Sequence, residues 1–183
     1  MPSFADKLDD LLVRNIAYFN YKSYVKRLVL KGNEKVLEVG CGGGNLSRFL
    51  AERTPNGKLV CIDSSKYWID KAKRRLRYFD NIKLRLEDIL NLKEENFDVA
   101  VVYYVLHDIQ KQERGKAINI LRKSLKENAR VYIREPMRKA HGMAPEEIEN
   151  LMLNRGFLEI KSKQGYSFPL RGKVYEGVFQ KNN

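Results

Sequence analysis

The sequence has few cysteines, no long apolar run and no secretion signal. Its two cysteines, Cys41 and Cys61, are too few for a disulfide framework and lack the CxxC spacing of a metal site, so no metal is expected. The longest apolar stretch, residues 99–106, is far shorter than the ~18 residues that a membrane span needs. Residues 1–7 lack the basic-then-apolar order of a signal peptide. We therefore expect a cytoplasmic protein without a membrane span.

The sequence also lacks internal repeats, low-complexity segments and Pro/Gly/Ser-rich linkers. Its 183 residues are about the length of one domain. With 43% hydrophobic residues it has enough core material to exclude a disordered chain. We predict a single domain over residues 1–183, made of an N-terminal helical extension or lid (1–31) and a core (32–183).

Basic residues outnumber acidic ones. Lys and Arg total 35 against 23 Asp and Glu, which gives a formal net charge of +12. One interpretation is a solvated surface; the other is a polyanionic partner such as RNA, or an acidic protein surface. The densest basic run, residues 71–77, falls at the end of a predicted helix, where cations also suit the helix dipole. Both interpretations stay open on the sequence alone.

Short apolar strands alternate with amphipathic helices after residue 32. This alternation predicts a doubly wound α/β domain with a mostly parallel sheet covered on both faces. No helix separates the last two strands, so they should form an antiparallel pair at one edge. Apolar spacing also predicts an N-terminal helix from Phe4 through Leu28 to a stop at Gly32, with a break near Asn20 left open. Strands are predicted at 35–39, 58–62, 82–86, 97–104, 129–133, 157–160 and 174–179, and helices at 45–53, 64–78, 110–127 and 145–154.

A glycine-rich loop follows the first predicted strand and points to a nucleoside ligand. Residues 38–44 read EVGCGGG, and Asp63 lies 23 residues after Gly40, where an acid can accept both hydroxyls of a ribose. The dinucleotide pattern GxGxxG fails because Asn45 stands where it needs glycine. The carboxylate of Glu38 would repel a pyrophosphate but suit a cation. These features favour S-adenosylmethionine, which carries ammonium and sulfonium charges and no phosphate.

The chain resembles the class I S-adenosylmethionine-dependent methyltransferases through four segments in order: VLEVGCGGGNLS, CIDSSKYWIDKAK, LRLEDIL and FDVAVVYYVLHDI. The resemblance covers about residues 36–179. It implies a Rossmann-like seven-stranded sheet of order 3-2-1-4-5-7-6 with an antiparallel last strand, and S-adenosylmethionine as cofactor. The cofactor-binding positions that it implies are Glu38, Gly40, Cys41, Gly42, Gly44, Asp63, Ser64, Glu87, Asp88, Ile89 and Tyr103.

The acceptor is less well defined by the sequence. Methyl transfer needs a general base only if the acceptor arrives protonated. His107 is the candidate base, with loop packing as the alternative role. The residues predicted to lie near the acceptor are Tyr18, Tyr21, Tyr104 and His141, although the aromatic stretch 18–24 would equally suit ordinary helix packing.

Two departures from the family pattern are visible. The family often has a small residue or Asn where Tyr103 stands, and its usual Pro-Gly-Gly before the fifth strand is replaced by residues 127–129.

The motif Asn/Asp-Pro-Pro-Tyr/Phe, which some members use to methylate amide or base nitrogens, is absent. Residues 105–136 and 143–157 are similar to small-molecule methyltransferases, including those of quinone biosynthesis.

Three hypotheses follow. The first is methyl transfer to a small molecule, driven mainly by proximity; the second is methylation of RNA or of a protein lysine. The third is cofactor binding without chemistry. The acceptor atom and the oligomeric state are left open.

Overall fold

The computed structural model describes residues 18–138, 142–167 and 172–182. A helical segment at residues 18–26 (α1) precedes the first strand. The elements that follow are β1 (Lys35–Val39), α2 (Ser47–Arg53), β2 (Lys58–Asp63), α3 (Lys66–Arg75), β3 (Ile82–Leu86), β4 (Phe97–Tyr103), α4 (Lys111–Ser124), β5 (Leu125–Pro136), α5 (Pro145–Leu153), β6 (Phe157–Ser167) and β7 (Gly172–Lys181), with short 3-10 turns at Ile89–Asn91 and Leu106–Asp108.

The seven strands form one sheet in the order β3-β2-β1-β4-β5-β7-β6. The pairs among β1 to β5 are parallel, and β7 runs antiparallel to both β5 and β6. The strand order reverses between β1 and β4, which leaves a crevice beyond their carboxyl ends, where open α/β sheets bind ligands. The predicted fold class is confirmed, including the antiparallel β7.

The apolar strands form this sheet because alternate residues enter two separate cores. Along β4, Ala100 and Val102 pack into the core that α4 and α5 cover. Val99 and Val101 point to the opposite face and pack with buried residues of α1, α2 and α3. A parallel strand buried on both faces needs no polar residue, which explains the apolar run of β4.

Helix α1 packs on the second of these cores through Tyr24 and Val25, and Leu28 follows it into the same core. The helical segment runs through Asn20 without a break and ends at residue 26. The predicted part of this helix from Phe4 to residue 17 lies outside the described residues. No helix within the described ranges is long and apolar enough to cross a membrane.

Several predicted boundaries are wrong near the carboxyl-terminal half of the sheet. Helix α4 ends at Ser124, not at 127, and β5 begins at once with Leu125. The pairing of β4 with β5 shifts between Phe97 and Val99, and Asn128 there has a left-handed φ of 60°. Strand β6 also extends to Ser167, well past the predicted end at 160, although most of its residues are exposed.

Candidate functional site

A cavity of about 670 Å³ lies at the carboxyl ends of β1, β2 and β4. That volume is within the range of small-molecule sites. The loop after β1, the start of α3, the turn after β3 and the loop after β4 form its walls, and Tyr21 of α1 closes one side.

The glycine loop keeps its backbone close to this cavity. Gly40 has a φ of 66°, and a Cβ there would overlap a methyl group of Val105 in the neighbouring loop. Gly42 has a φ of 51°, and a Cβ there would meet no atom within 4 Å, so its backbone borders open space. Left-handed φ values disfavour side chains, and the loop therefore needs glycine at both positions.

Asp63, at the end of β2, holds two parts of the site together. Its Oδ2 accepts a hydrogen bond from the Gly42 amide (2.8 Å), and its Oδ1 accepts one from the Ser65 amide (2.9 Å). Each carboxylate oxygen has a second lone pair, so the group can still accept from a ligand. Asp63 therefore fixes the glycine loop while it faces the cavity.

Glu38 is a buried carboxyl group on β1 that lines the cavity. Burial raises the pKa of Glu38 to about 7, with a smaller contribution from the charge of Asp63. Its Oε2 contacts the Cys61 thiol at 3.2 Å, and no ion pair within residues 18–138, 142–167 and 172–182 reaches it. A buried carboxylate that has no cation beside it is a suitable counter-ion for a positively charged ligand.

Every charged side chain in the described wall of the cavity is acidic. Six carboxyl groups line it, and no Lys, Arg or His side chain does so. They belong to Glu38, Asp63, Glu87, Asp88, Asp108 and Glu113. This sign is opposite to the net charge of +12 that the whole chain carries.

An aromatic group forms the side of the cavity nearest α1. The ring centroid of Tyr103 lies 5.4 Å from that of Tyr21, 5.0 Å from Tyr24 and 4.4 Å from Tyr104. Tyr104 has a left-handed φ of 60°, a conformation that costs a non-glycine residue of the order of 1 kcal/mol or more. Arg134 lies behind the cluster, and its Nε donates to the Tyr104 hydroxyl at 3.1 Å.

His107 and Glu135 form a buried pair beside the cavity. The His107 Nδ1 lies 2.6 Å from the Glu135 Oε2, and the Glu135 Oε1 accepts the amides of Val105 and Leu106, both at 2.8 Å. The other ring nitrogen of His107, Nε2, is 3.4 Å from Asp108, which does line the cavity. Glu135 therefore anchors the whole loop after β4.

The structure brings most of the predicted site residues to one place. Those that line the cavity are Tyr21, Glu38, Gly40, Cys41, Gly42, Asp63, Ser64, Glu87, Asp88, Ile89, Tyr103 and Tyr104. Gly44 is absent from the lining, and a Cβ there would come within 2.7 Å of Leu76. The Tyr18 ring packs instead against Phe49, 4.9 Å between centroids. His107 is not among the lining residues, and His141 lies outside the described residues.

Sequence analysis missed several lining residues, among them Trp68, Asn45, Gln110 and Glu113. Trp68 is the only tryptophan of the chain and follows Asp63 by five residues, a signal that could have identified it. Gln110 and Glu113 line the cavity because the N-terminal end of α4 lies next to it. No spacing pattern in the sequence predicts that contact.

Comparison with known proteins decides the family. Residues 30–171 match a sequence family described as a methyltransferase domain. The chain belongs to the class I S-adenosylmethionine-dependent methyltransferases. This methyltransferase is 25% identical over 172 residues to the carboxy-S-adenosyl-L-methionine synthase of Campylobacter hominis. The alignment covers 89% of this chain and 70% of that protein.

Solved structures share the methyltransferase's fold at lower identity. The magnesium protoporphyrin IX methyltransferase of Synechocystis PCC 6803, with bound S-adenosylmethionine, superposes with a TM-score of 0.77 at 18% identity. That alignment covers 100% of this chain and 86% of the other. The N-methyltransferase NodS of Bradyrhizobium japonicum, in complex with S-adenosylhomocysteine, gives a TM-score of 0.74 at 23% identity, over 90% and 87% of the two chains.

The cofactor of the methyltransferase is S-adenosylmethionine, and the residues of the cavity fit it. Glu38 offers a buried carboxylate to a cation, and Asp63 offers lone pairs where a ribose hydroxyl could donate. The open space at Gly42 leaves the loop backbone accessible. The predictions of the family, the enzyme class and the cofactor are therefore confirmed.

Proposed function

We propose that this methyltransferase transfers the methyl group of S-adenosylmethionine to a small-molecule acceptor by in-line displacement. The acidic wall of the cavity carries this proposal. Six carboxyl groups and no Lys, Arg or His side chain line the described wall, and of the six Glu87 is paired with Arg85 outside it. The remaining carboxyl groups attract a sulfonium and an ammonium but repel the phosphates of a nucleic acid. The basic exterior therefore does not extend to the described walls of the reaction site.

In this proposal most of the rate enhancement comes from positioning the acceptor against the methyl group of the cofactor. S-adenosylmethionine, when bound, supplies an electrophilic methyl group on sulfur. Tyr21, Tyr103 and Tyr104 present rings that can orient a flat acceptor and exclude water from it. Such positioning can lower a barrier by several kcal/mol without any proton transfer.

The side chains beside the tyrosines favour an acceptor atom that needs no deprotonation before it attacks the methyl group. Burial raises the pKa of the Tyr103 phenol far above its ordinary value, so this group stays neutral and is no base. His107 is buried against Glu135, its Nε2 is 3.4 Å from Asp108, and it is not among the residues that line the cavity. These contacts support a positioning role for His107, which holds the loop after β4, over the predicted role of a base.

The experiment is methyl transfer into a fractionated lysate of the source organism, with S-adenosylmethionine that carries the label in its methyl group. We expect label in the organic-soluble, low-molecular-weight fraction. Label in RNA or in protein would overturn the proposal and support methylation of a macromolecule.

A second candidate comes from the relatives named carboxy-S-adenosyl-L-methionine synthase, whose product is by its name a derivative of the cofactor itself. A parallel reaction with label in the adenosine part distinguishes the two activities. Methyl transfer leaves S-adenosylhomocysteine as the labelled nucleoside. Another labelled derivative of the cofactor would support the second candidate.

The assigned role of Glu38 predicts pH-dependent cofactor binding. With a pKa of about 7, the group is largely protonated at about pH 6 and ionised at about pH 8. Because the ionised form attracts the cofactor's ammonium, the affinity for S-adenosylmethionine should rise by up to about tenfold per pH unit until pH 7 and then level off. Isothermal titration calorimetry on wild type and Glu38→Gln checks this, since the variant should bind weakly with a flat profile. An equal slope in the variant would assign the pH dependence to another group.

The raised pKa of Glu38 makes the stability of the ligand-free protein fall, not rise, with increasing pH. The folded state holds the Glu38 proton more tightly than the unfolded state, so its contribution to stability is complete below pH 4.5, the ordinary pKa, and is lost as the pH rises through about 7. Between these pH values the free energy of unfolding should fall by roughly 3 kcal/mol because of Glu38. In Glu38→Gln the free energy of unfolding should lack this pH-dependent decrease.

A further inference from the structure

A second, smaller cavity of about 280 Å³ lies beyond the tyrosine cluster, between α1 and strands β5, β6 and β7. Its described charged lining consists of Arg27, Arg134, Lys163 and Glu176. Three cations against one carboxylate leave a net charge of +2, opposite in sign to the cofactor cavity.

The sheet register builds this cluster. Arg134 on β5 is paired with Glu176 on β7, and Glu176 is paired with Lys163 on β6, so the three side chains form a row across adjacent strands. The Glu176 carboxylate lies 2.9 Å from the Arg134 guanidinium and 3.1 Å from the Lys163 ammonium. Arg27 of α1 reaches the same carboxylate at 2.8 Å.

One carboxylate, that of Glu176, pairs with three cationic side chains and can neutralise only one of the three charges. Burial raises the pKa of the Glu176 carboxyl, but Arg134, Lys163 and Arg27 outweigh this effect and hold the pKa below its usual value. Glu176 therefore stays ionised, and the described lining retains a net charge of +2. Arg134 is buried, with a side chain 6% exposed, and Glu176 at 2.9 Å is the anion that a desolvated cation needs beside it. Arg27 and Lys163, which share the same carboxylate, are the more exposed cations of the cluster.

The second cavity lies close to the reaction site. The Arg134 guanidinium is 5.4 Å from the ring centroid of Tyr103 and 5.8 Å from that of Tyr104, and both rings line the cofactor cavity. About one ring therefore separates the +2 cluster from the acidic cavity. That separation is short enough for the two ends of one small molecule to span it.

We propose that the cluster of Arg27, Arg134 and Lys163 binds an anionic group, a carboxylate or a phosphate, at the end of the acceptor opposite to the methylated atom. This inference rests on the proposed function, because it names the chemical class of that small-molecule acceptor. Arg guanidinium groups match both anions through paired N–H donors. The cluster thus orients the acceptor with its reactive end toward the cofactor.

The test is calorimetric titration of the full chain, loaded with S-adenosylhomocysteine, at low ionic strength. Three probes share one ring: benzoate, phenyl phosphate and the neutral benzamide. We expect wild type to bind at least one anion and not benzamide, and the tighter of the two anions identifies the group. Arg27→Gln and Lys163→Gln should each weaken anion binding, Arg27→Gln by about tenfold, the effect of one charged hydrogen bond. Arg77→Gln, which removes an equal charge from the exposed turn after α3, outside both cavities, should bind like wild type.

Glu176→Gln gives a result that a purely structural ion network would not. Removing the internal carboxylate leaves three cations for the ligand, so the anion should bind several-fold more tightly, not more weakly. Arg27 is 43% exposed and its variant should fold, which keeps the test decisive if the Glu176 variant is unstable. Equal binding of benzoate and benzamide, or unchanged anion binding in Arg27→Gln and Lys163→Gln, would overturn the proposal.

The outcome is separable from that of the proposed function. Affinity for S-adenosylhomocysteine should be the same in all these variants, since none of the substituted residues lines the cofactor cavity. If the lysate experiment yields a labelled small molecule while wild type binds neither anion, methyl transfer stands and the anion site is wrong. If label appears only in RNA or protein, the small-molecule function falls whatever the probes do.

Discussion

Replacing Asp63 by Ala should weaken binding of S-adenosylhomocysteine by about 10- to 100-fold. The carboxylate is expected to accept hydrogen bonds from the ribose, and hydrogen bonds to a charged group contribute roughly 1.5–3 kcal/mol. The substitution also frees the Gly42 and Ser65 amides, which Asp63 now holds at 2.8 and 2.9 Å. The glycine loop then loses its attachment to β2. Calorimetric titration measures the affinity directly.

Asp80→Ala is the matched control, because it removes an exposed carboxylate in the turn before β3. It should bind S-adenosylhomocysteine like wild type. If Asp63→Ala also bound like wild type, the assignment of Asp63 to the ribose would be wrong. A variant that loses thermal stability but retains affinity would restrict Asp63 to holding the loop.

Replacing Glu135 by Ala should cause the largest loss of stability that we expect from one substitution. The variant leaves the Val105 and Leu106 amides without their acceptor and removes the partner of His107 Nδ1. Leaving buried partners of a charged group unpaired costs about 3–5 kcal/mol. For a chain of this size each kcal/mol lowers the melting temperature by roughly 2–4 °C, so a fall of about 10 °C is expected. Differential scanning calorimetry in the absence of ligand measures it.

Two further substitutions bracket this result. Glu127→Ala removes an exposed carboxylate of the same strand that is paired with Lys181, and it should change stability by less than about 1 kcal/mol. Glu135→Gln retains an oxygen for the two amides and should be intermediate. A melting temperature of Glu135→Ala within a degree or so of wild type would mean that the loop after β4 does not depend on this anchor.

Local spacing in the sequence explains why several residues predicted to bind the cofactor lie together at one cavity. The strand β1, the glycine loop and Asp63 follow one another within a short stretch, and backbone geometry alone brings them together at the ends of β1 and β2. The resemblance to the methyltransferase family pointed to Tyr103 at the end of β4, and Tyr104, the next residue, also lines the cavity.

Features that depend on distant partners could not be predicted. Glu135 acts on a loop 28 to 30 residues earlier in the chain, and Arg134 meets Glu176 through the register of β5 with β7. No short turn joins β5 to β7, so turn geometry does not fix their register in the sequence. The extent of β6 was missed for a different reason: its exposed, polar residues lack the alternation of a half-buried strand.

The acidic wall of the cofactor cavity also bears on turnover. Methyl transfer converts a sulfonium into a neutral thioether, so the nucleoside loses one positive charge while the six carboxyl groups remain. The electrostatic attraction that helps to load the cofactor is therefore weaker for the spent nucleoside. We expect this difference to favour product release and to limit inhibition by the product, and added salt should reduce the difference by screening it.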